Sequence, residues 1–397
     1  MLPSINISPS EFAARRARLA EYLTAEGLSG VVLFDNYYIL YYSAFAFIPT
    51  ERPMAFVMTA QGDTGMFVPR LELEHAKSKT GFDRVASYVE YPDNPPPMEH
   101  LRRMLADMGI SGRIGAESDG YPWIFGYRGP ALSELTGATV VPVTAFVEDS
   151  MMIKSPAEVA LIRESVTWGH LAHVLLQRYT RVGATETEVS LRASTDATLA
   201  MMDAIGPLYA AQSTYGSGAS AGYRGQIGRN AAIPHALANN IAFQPGDVLV
   251  TGAGAPVWGY NSELERTMFV GQPSDEQRRM FDQMKTVQEA AFDALRPGAR
   301  CSDVDRAVRA YYEQHDLMPY WKHHSGHAIG LRYHEAPFLD IGDDTELKPG
   351  MLFTVEPGLY AAGLGGFRHS DTVLITEDGM EMLTYYPRDI ESLTIPV

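Results

Sequence analysis

One short stretch divides this sequence. In "MMIKSPAEVALIRESV", Met151 to Val166, Ser155 stands directly before Pro156 and three residues before Glu158. A serine there can accept from the third residue's N–H, proline suits a first helical turn, and glutamate can reach back to the serine's own N–H. A long helix therefore starts at the seam. Before it, short apolar runs alternate with helical patterns. After it, long helices come first, then strands and turns. The expected fold class is α+β in two domains: a smaller α/β domain over residues 1–152 and a larger one over residues 153–397.

Within the first part, Gly30–Asp35, Met54–Ala60, Gly65–Pro69, Arg113–Ser118 and Thr139–Thr144 read as strands. Residues 10–27 read as an amphipathic helix with Phe12, Leu19 and Leu23 on one face and Gly27 at its end. The aromatic run Tyr37–Pro49 is too short to span a bilayer and reads as core. In the second part, Asp247–Ala255 reads as a strand, and capped helices are expected from Ser274 and from Ser302. The Gly-rich stretch Tyr215–Asn230 lacks the order of a phosphate loop. It reads as a place where backbone passes close to a ligand or another chain.

Charge narrows the function classes. The chain has 397 residues, a formal charge of −16 and a pI near 5.1. Nucleic acid is excluded as a partner, because phosphate binding needs a positive surface. One cysteine, Cys301, excludes an internal disulfide framework and fits a reducing, cytoplasmic compartment. The N-terminal stretch Met1–Ala20 shows no basic start followed by an apolar core, so no secretory signal and no membrane partner are expected.

Four polar islands gather in the second part. They contribute His235; Glu263, Glu265 and Arg266; His323, His324, His327, His334 and Glu335; and Glu356 with Arg368, His369, Ser370 and Asp371. Glu356 follows the apolar run "MLFTV" and precedes Pro-Gly. A carboxylate at the end of a buried strand is expensive unless a cation, a metal or a donor meets it. The seven-residue spacing of His327 and His334 also suits one face of a core helix. Histidine and carboxylate suit Zn, Mn, Co or Fe, and equally a receptor for a cationic substrate. Spacing alone does not separate the two. Trp258 and Tyr260 could stack on a planar group or simply pack in the core.

The segments "IKSPAEVALIR", "SGHAIGLRYHEAP", "VEPGLY" and "FRHSDTVLIT" occur in the order found in the pita-bread superfamily of Xaa-Pro aminopeptidases, prolidases and creatinase. The chain resembles that superfamily over nearly its whole length, with a creatinase-like amino-terminal domain. The resemblance implies five metal ligands in the peptidases. Three positions keep a ligand type: Glu263, His327 and Glu356. Gly252, eleven residues before Glu263, and Ser370 do not. Where the peptidase pattern is close to "SDxTRT", this chain reads "SELERT".

On that basis the chain is similar to the metal-free, creatinase-like branch, and "LFDNYYILYYSAFAFIPTERPMAF" with "GYNSELERTMFVG" resembles the ectoine hydrolases within it. The resemblance implies hydrolysis of a small amidine carboxylate with no metal and no cofactor. Glu265 would attack or activate water. His235, thirty residues earlier, would move the proton. Glu263 and Glu356 would hold the amidine, and His327 the intermediate. Arg52, from the partner chain of a homodimer, would hold the substrate carboxylate, with His334, Trp258 and Tyr260 as further contacts. The alternatives are creatinase or another amidine or guanidine hydrolase, a metal-dependent Xaa-Pro peptidase, and a non-catalytic binding module.

Overall fold

The computed structural model describes residues 5–79, 81–90, 95–122, 126–214 and 216–397. Residues 1–4, within the stretch read for a signal, and Tyr215, which opens the Gly-rich stretch, lie outside them. The chain forms two compact units, Ile7–Met151 and Met152–Val397, the latter joined by Ile5 and Asn6.

The smaller unit is built on a six-stranded sheet of order β4-β3-β2-β1-β5-β6. The strands are β1 (Gly30–Leu33), β2 (Ala55–Thr59), β3 (Thr64–Pro69), β4 (Arg84–Tyr88), β5 (Arg113–Ala116) and β6 (Thr139–Pro142). β1 pairs antiparallel with β2 and parallel with β5. The helices are α1 (Pro9–Ala25), α2 (Asn36–Ser43), α3 (Leu73–Ser78), α4 (Pro97–Asp107), α5 (Leu132–Thr136) and α6 (Thr144–Met152). Leu101, Met104 and Leu105 of α4 pack on Val32, Val57 and Phe67 of the sheet.

Two elements go beyond the sequence reading. The aromatic run is largely core, as expected, and its first part is helical up to Ser43, because Asp35 caps α2, its Oδ1 accepting from the N–H groups of Tyr37 (2.9 Å) and Tyr38 (3.1 Å). β4 carries no apolar run: it is an edge strand, largely half-buried to exposed.

The larger unit contains α7 (Pro156–Tyr179), α8 (Glu186–Ile205), α9 (Asp275–Ala294) and α10 (Cys301–Gln314). The seam forms as expected: Ser155 Oγ accepts from Glu158 N, and Glu158 Oε2 from Ser155 N. α10, in contrast, begins at Cys301, and Ser302 donates to Asp344 Oδ1 (2.6 Å) instead of capping it.

The strands are β7 (Ser220–Gly222), β8 (Val248–Val250), β9 (Gly252–Gly254), β10 (Leu264–Glu265), β11 (Thr267–Val270), β12 (Gly326–Ala328), β13 (Glu335–Leu339), β14 (Leu352–Val355), β15 (Gly358–Ala361), β16 (Gly365–Arg368), β17 (Ser370–Ile375), β18 (Met380–Met382) and β19 (Thr394–Ile395). The principal sheet runs β13-β12-β14-β17-β10-β9-β7, with β18 on β17. β19-β11-β8 and β15-β16 form two smaller sheets.

Three extended runs therefore break in the middle, at Thr251, Arg266 and His369, and pass from a smaller sheet into the principal one. The breaks are bound together. Arg266 N donates to Thr251 Oγ1 (2.9 Å), Thr251 N to Arg266 O (3.0 Å), and Arg266 Nη1 to Ser370 O (3.1 Å). As a result Gly252, Glu265 and Ser370 begin or end strands at one place in the sheet. α7 comes close over β9: a Cβ on Gly169 would stand 3.0 Å from Gly254 Cα.

Candidate active site

At this place the larger unit carries a cleft of about 360 Å3, near the low end of the range for small-ligand pockets. Its walls include Ser220, Arg224, Gly252, Glu263, Glu265 and His334. A larger hollow of about 880 Å3 in the smaller unit has only Asp119 and Arg128 as charged lining residues among the described ones. The chemistry lies in the smaller cleft.

Three groups converge beside it, of which Glu263 lines the cleft. Glu263, His327 and Glu356 each offer a ligand atom, and these atoms lie within 4.8 Å of one another. The sheet brings them together from β12, the turn before β10 and the end of β14. His327 is on a strand and not on a core helix. His327 Nε2 lies 3.1 Å from Glu356 Oε1, within ion-pair range but off the line of a hydrogen bond, so this buried nitrogen has no aligned partner. Nδ1 faces the carbonyl of Ala328 at 3.0 Å.

Burial alone would lower the His327 pKa, but Glu356 and Glu263 outweigh it and raise it to about 9. Burial alone would raise Glu356, but His327 and the Arg368 guanidinium hold it well below the usual carboxylate range. Burial, then the charges of Glu356 and Glu265, push Glu263 up to about 7. Ser370 Oγ donates to Glu263 Oε1 (2.8 Å).

These observations test the fit of a metal. A buried, unaligned imidazole nitrogen beside two crowded carboxylates suits one cation of the zinc or manganese type. A pair does not fit. Gly252 and Ser370 offer no carboxylate, and the neighbouring seat is filled by guanidinium groups. Arg368 donates from Nε to Glu265 Oε2 (2.5 Å) and from Nη2 to Glu265 Oε1 (2.8 Å). Arg224 Nη2 donates to Glu265 Oε1 (2.5 Å). A Cβ added at Gly252 would stand 3.8 Å from that same Nη2.

The other expected residues are distributed unevenly. Glu265 is in the cleft, but its two oxygens take three N–H donors from two guanidinium groups. A carboxylate held by three donors has little freedom to reach a substrate carbon, which counts against an attacking role. His334 lines the cleft, its ring stacked on His327 with centroids 3.8 Å apart. His235 is exposed on the loop after Ile233, makes no hydrogen bond to a described residue, and acts on His334 only through its charge.

Trp258 and Tyr260 do not line the cleft, and the Tyr260 hydroxyl donates to Glu158 Oε1 (2.7 Å) in the core. Arg52, in the smaller unit, is held by Glu90 through Nε (2.7 Å) and Nη2 (3.1 Å), and by Glu51 through Nη1 (2.6 Å). Arg224 and Tyr333 line the cleft and went unnoticed in the sequence. Their only signal is a position between glycines, at Gly222 and Gly225, and beside His334.

Fold and site together define a family. Residues 160–377, more than half of the chain, match metallopeptidase family M24, and residues 15–153 match the creatinase/prolidase N-terminal domain. The chain belongs to metallopeptidase family M24, and it has the pita-bread fold with a smaller creatinase-like N-terminal domain. It is 29% identical over 390 residues to a probable dipeptidase PepE of Mycobacterium bovis, covering 98% of both chains. It is 26% identical over 379 residues to an Xaa-Pro dipeptidase of Pyrococcus horikoshii, covering 94% of this chain and 97% of that one.

Among solved structures, dipeptidase PepE from Mycobacterium ulcerans superposes with a TM-score of 0.82 at 27% identity, covering 99% of this chain and 100% of that one. The prolidase from Pyrococcus horikoshii superposes at 0.78 and 25% identity, covering 95% and 99%. The chain is therefore an enzyme and a hydrolase. These relatives overturn the expectation of a metal-free ectoine hydrolase. The losses at Gly252 and Ser370 suggested metal independence, but full-length similarity runs to dipeptidases, and Glu263, His327 and Glu356 remain close enough together to hold a cation. No helix among the described residues is long and apolar enough to cross a membrane.

Proposed function

We propose that this chain is a peptidase of the Xaa-Pro dipeptidase type, acting on short peptides at a site that takes a single divalent cation. The observation that carries the reading is the convergence of Glu263, His327 and Glu356 within 4.8 Å, in a member of metallopeptidase family M24. A cation held by these three would act as a Lewis acid on the carbonyl of the scissile bond.

The chain's own groups do the rest. Arg368 and His327 hold Glu356 ionised and fixed. Ser370 orients the Glu263 carboxyl. His334 covers one face of His327 and lies where a bound peptide would meet it. Arg368 and Arg224 hold the Glu265 carboxylate in the cleft wall, so that Glu265 contributes shape and charge balance and no bond making. A homodimer and a cytoplasmic location belong to the same proposal. They are checked by sedimentation and by cell fractionation.

The test pairs Ala-Pro hydrolysis with metal content per chain. The expected result is turnover that is lost on chelation and restored by one equivalent of Mn, Co or Zn, with H327A losing the bound metal. Turnover that survives exhaustive chelation overturns the cation part. No hydrolysis of any Xaa-Pro dipeptide with any of these cations overturns the peptidase part.

A further inference from the structure

Among the described residues of the cleft wall, Arg224 is the arginine, and its side chain is half open. Its backbone sits in the left-handed region, φ 50, followed by Gly225 at φ 75, so the chain turns sharply just after β7. The turn is rigid. Gly225 N donates to Glu186 Oε2 (2.7 Å), and a Cβ on Gly225 would stand only 2.0 Å from Leu237 O. A bulky residue held in that conformation is aimed by its surroundings. Arg224 Nη2 donates to Glu265 Oε1 and to Gln226 Oε1 (3.3 Å). Its Nε and Nη1 donate to no described residue, and 49% of the side chain is exposed.

The local charge is unbalanced. Glu265 already receives two N–H groups from Arg368, so Arg224 brings a second positive charge to one carboxylate. The cleft thus has a positive wall at Arg224 and an acidic side at Glu263, whose carboxylate converges with Glu356. A short peptide with a free carboxyl terminus has the matching polarity, and guanidinium donors match carboxylate geometry. We propose that Arg224 binds the substrate's terminal carboxylate and so restricts the enzyme to dipeptides. This rests on the peptidase reading given above.

The test compares Ala-Pro with its carboxyl-terminal amide on the wild type, R224Q and R224K. The wild type is expected to favour the acid by about 10- to 100-fold in kcat/KM, the size of a charge-assisted contact. R224Q should erase the preference mainly through KM, and R224K should recover part of it. Equal use of acid and amide by the wild type overturns the inference and leaves the peptidase reading standing, as does a preference that survives R224Q. If the wild type cleaves neither compound, the peptidase reading fails, and binding decides. Calorimetry with glycylglycine and glycylglycine amide would then support Arg224 if the acid binds better and R224Q loses the difference. It would overturn the role if the two bind alike.

Discussion

Asp371→Asn tests how the site is held together. Arg266 and Asp371 are both completely buried. Arg266 Nη2 donates to Asp371 Oδ1 (2.7 Å), and its other donors reach the carbonyls of Glu265, Ser370, Tyr386 and Pro387. Asp371 also accepts from Thr384 Oγ1 (2.7 Å) and Gln288 Nε2 (3.0 Å). Asparagine keeps the shape and removes the charge. The guanidinium is then left buried without its counter-ion, which costs about 3–5 kcal/mol. The new amide N–H also faces the donor of Gln288.

For a unit of this size, 1 kcal/mol moves the melting temperature by roughly 2–4 °C. The drop is therefore expected to be roughly 6–20 °C by calorimetry of the full chain. In a cycle with Arg266→Met, the two substitutions should couple by at least about 1.5 kcal/mol, since neither leaves a lone buried charge once both are made. A loss below about 1 kcal/mol for the single variant, or strict additivity in the cycle, would refute the reasoning.

Further expectations concern other parts of the chain. Glu117 Oε1 accepts from Phe34 N (2.6 Å) and Asp35 N (2.8 Å), while Oε2 is buried without a partner, and burial pushes the carboxyl up to about 8. The folded state thus binds this proton more tightly than the unfolded chain, so stability present at low pH is lost as pH rises from about 4 to about 8. Glu117→Gln keeps the acceptor and removes the titration. Its melting temperature should fall less than that of the wild type between pH 5 and 8.5, and parallel curves would count against this. Cys301 is buried, with its thiol pushed up to about 12, first by burial and then by Asp343. It should react with a thiol reagent only after denaturant is added. Gly225→Ala meets both a left-handed backbone and the Leu237 carbonyl. It should lower stability by about 1–3 kcal/mol in urea titrations.

Much of the architecture is written locally. The capping box at Ser155, the alternation of strands and helices before it, and the ordered motifs after it are short-range signals, and they lead to the pita-bread fold. What is not legible is set by long-range partners. Asp247–Ala255 reads as one strand, yet it splits at Thr251, because Arg266, fifteen residues on, takes up its backbone groups. Glu265 reads as an attacking carboxylate, but Arg224 and Arg368 lie 41 and 103 residues away in sequence and together neutralise it. The same distance effect misled the functional reading. The two missing carboxylates and the three retained ligand types, Glu263, His327 and Glu356, are both visible in the sequence, whereas the approach of the three within 4.8 Å is visible only in three dimensions.

The buried carboxylate of Glu186 has a consequence for how this enzyme can change. Its Oε2 accepts from Gly225 N, and its Oε1 from Asn239 N (2.7 Å) and Ile241 N (3.2 Å). Both ends of the excursion from Gly225 to Ile241 are thus pinned to one residue at the start of α8. Gln226, Ile227 and Ala231 between the pins are buried, whereas His235 and Leu237 are exposed and can vary while the ends stay where they are. The Leu237 side of that excursion, which carries His235 at the rim, is therefore where new substrate preferences could be grafted without disturbing the group of Glu263, His327 and Glu356.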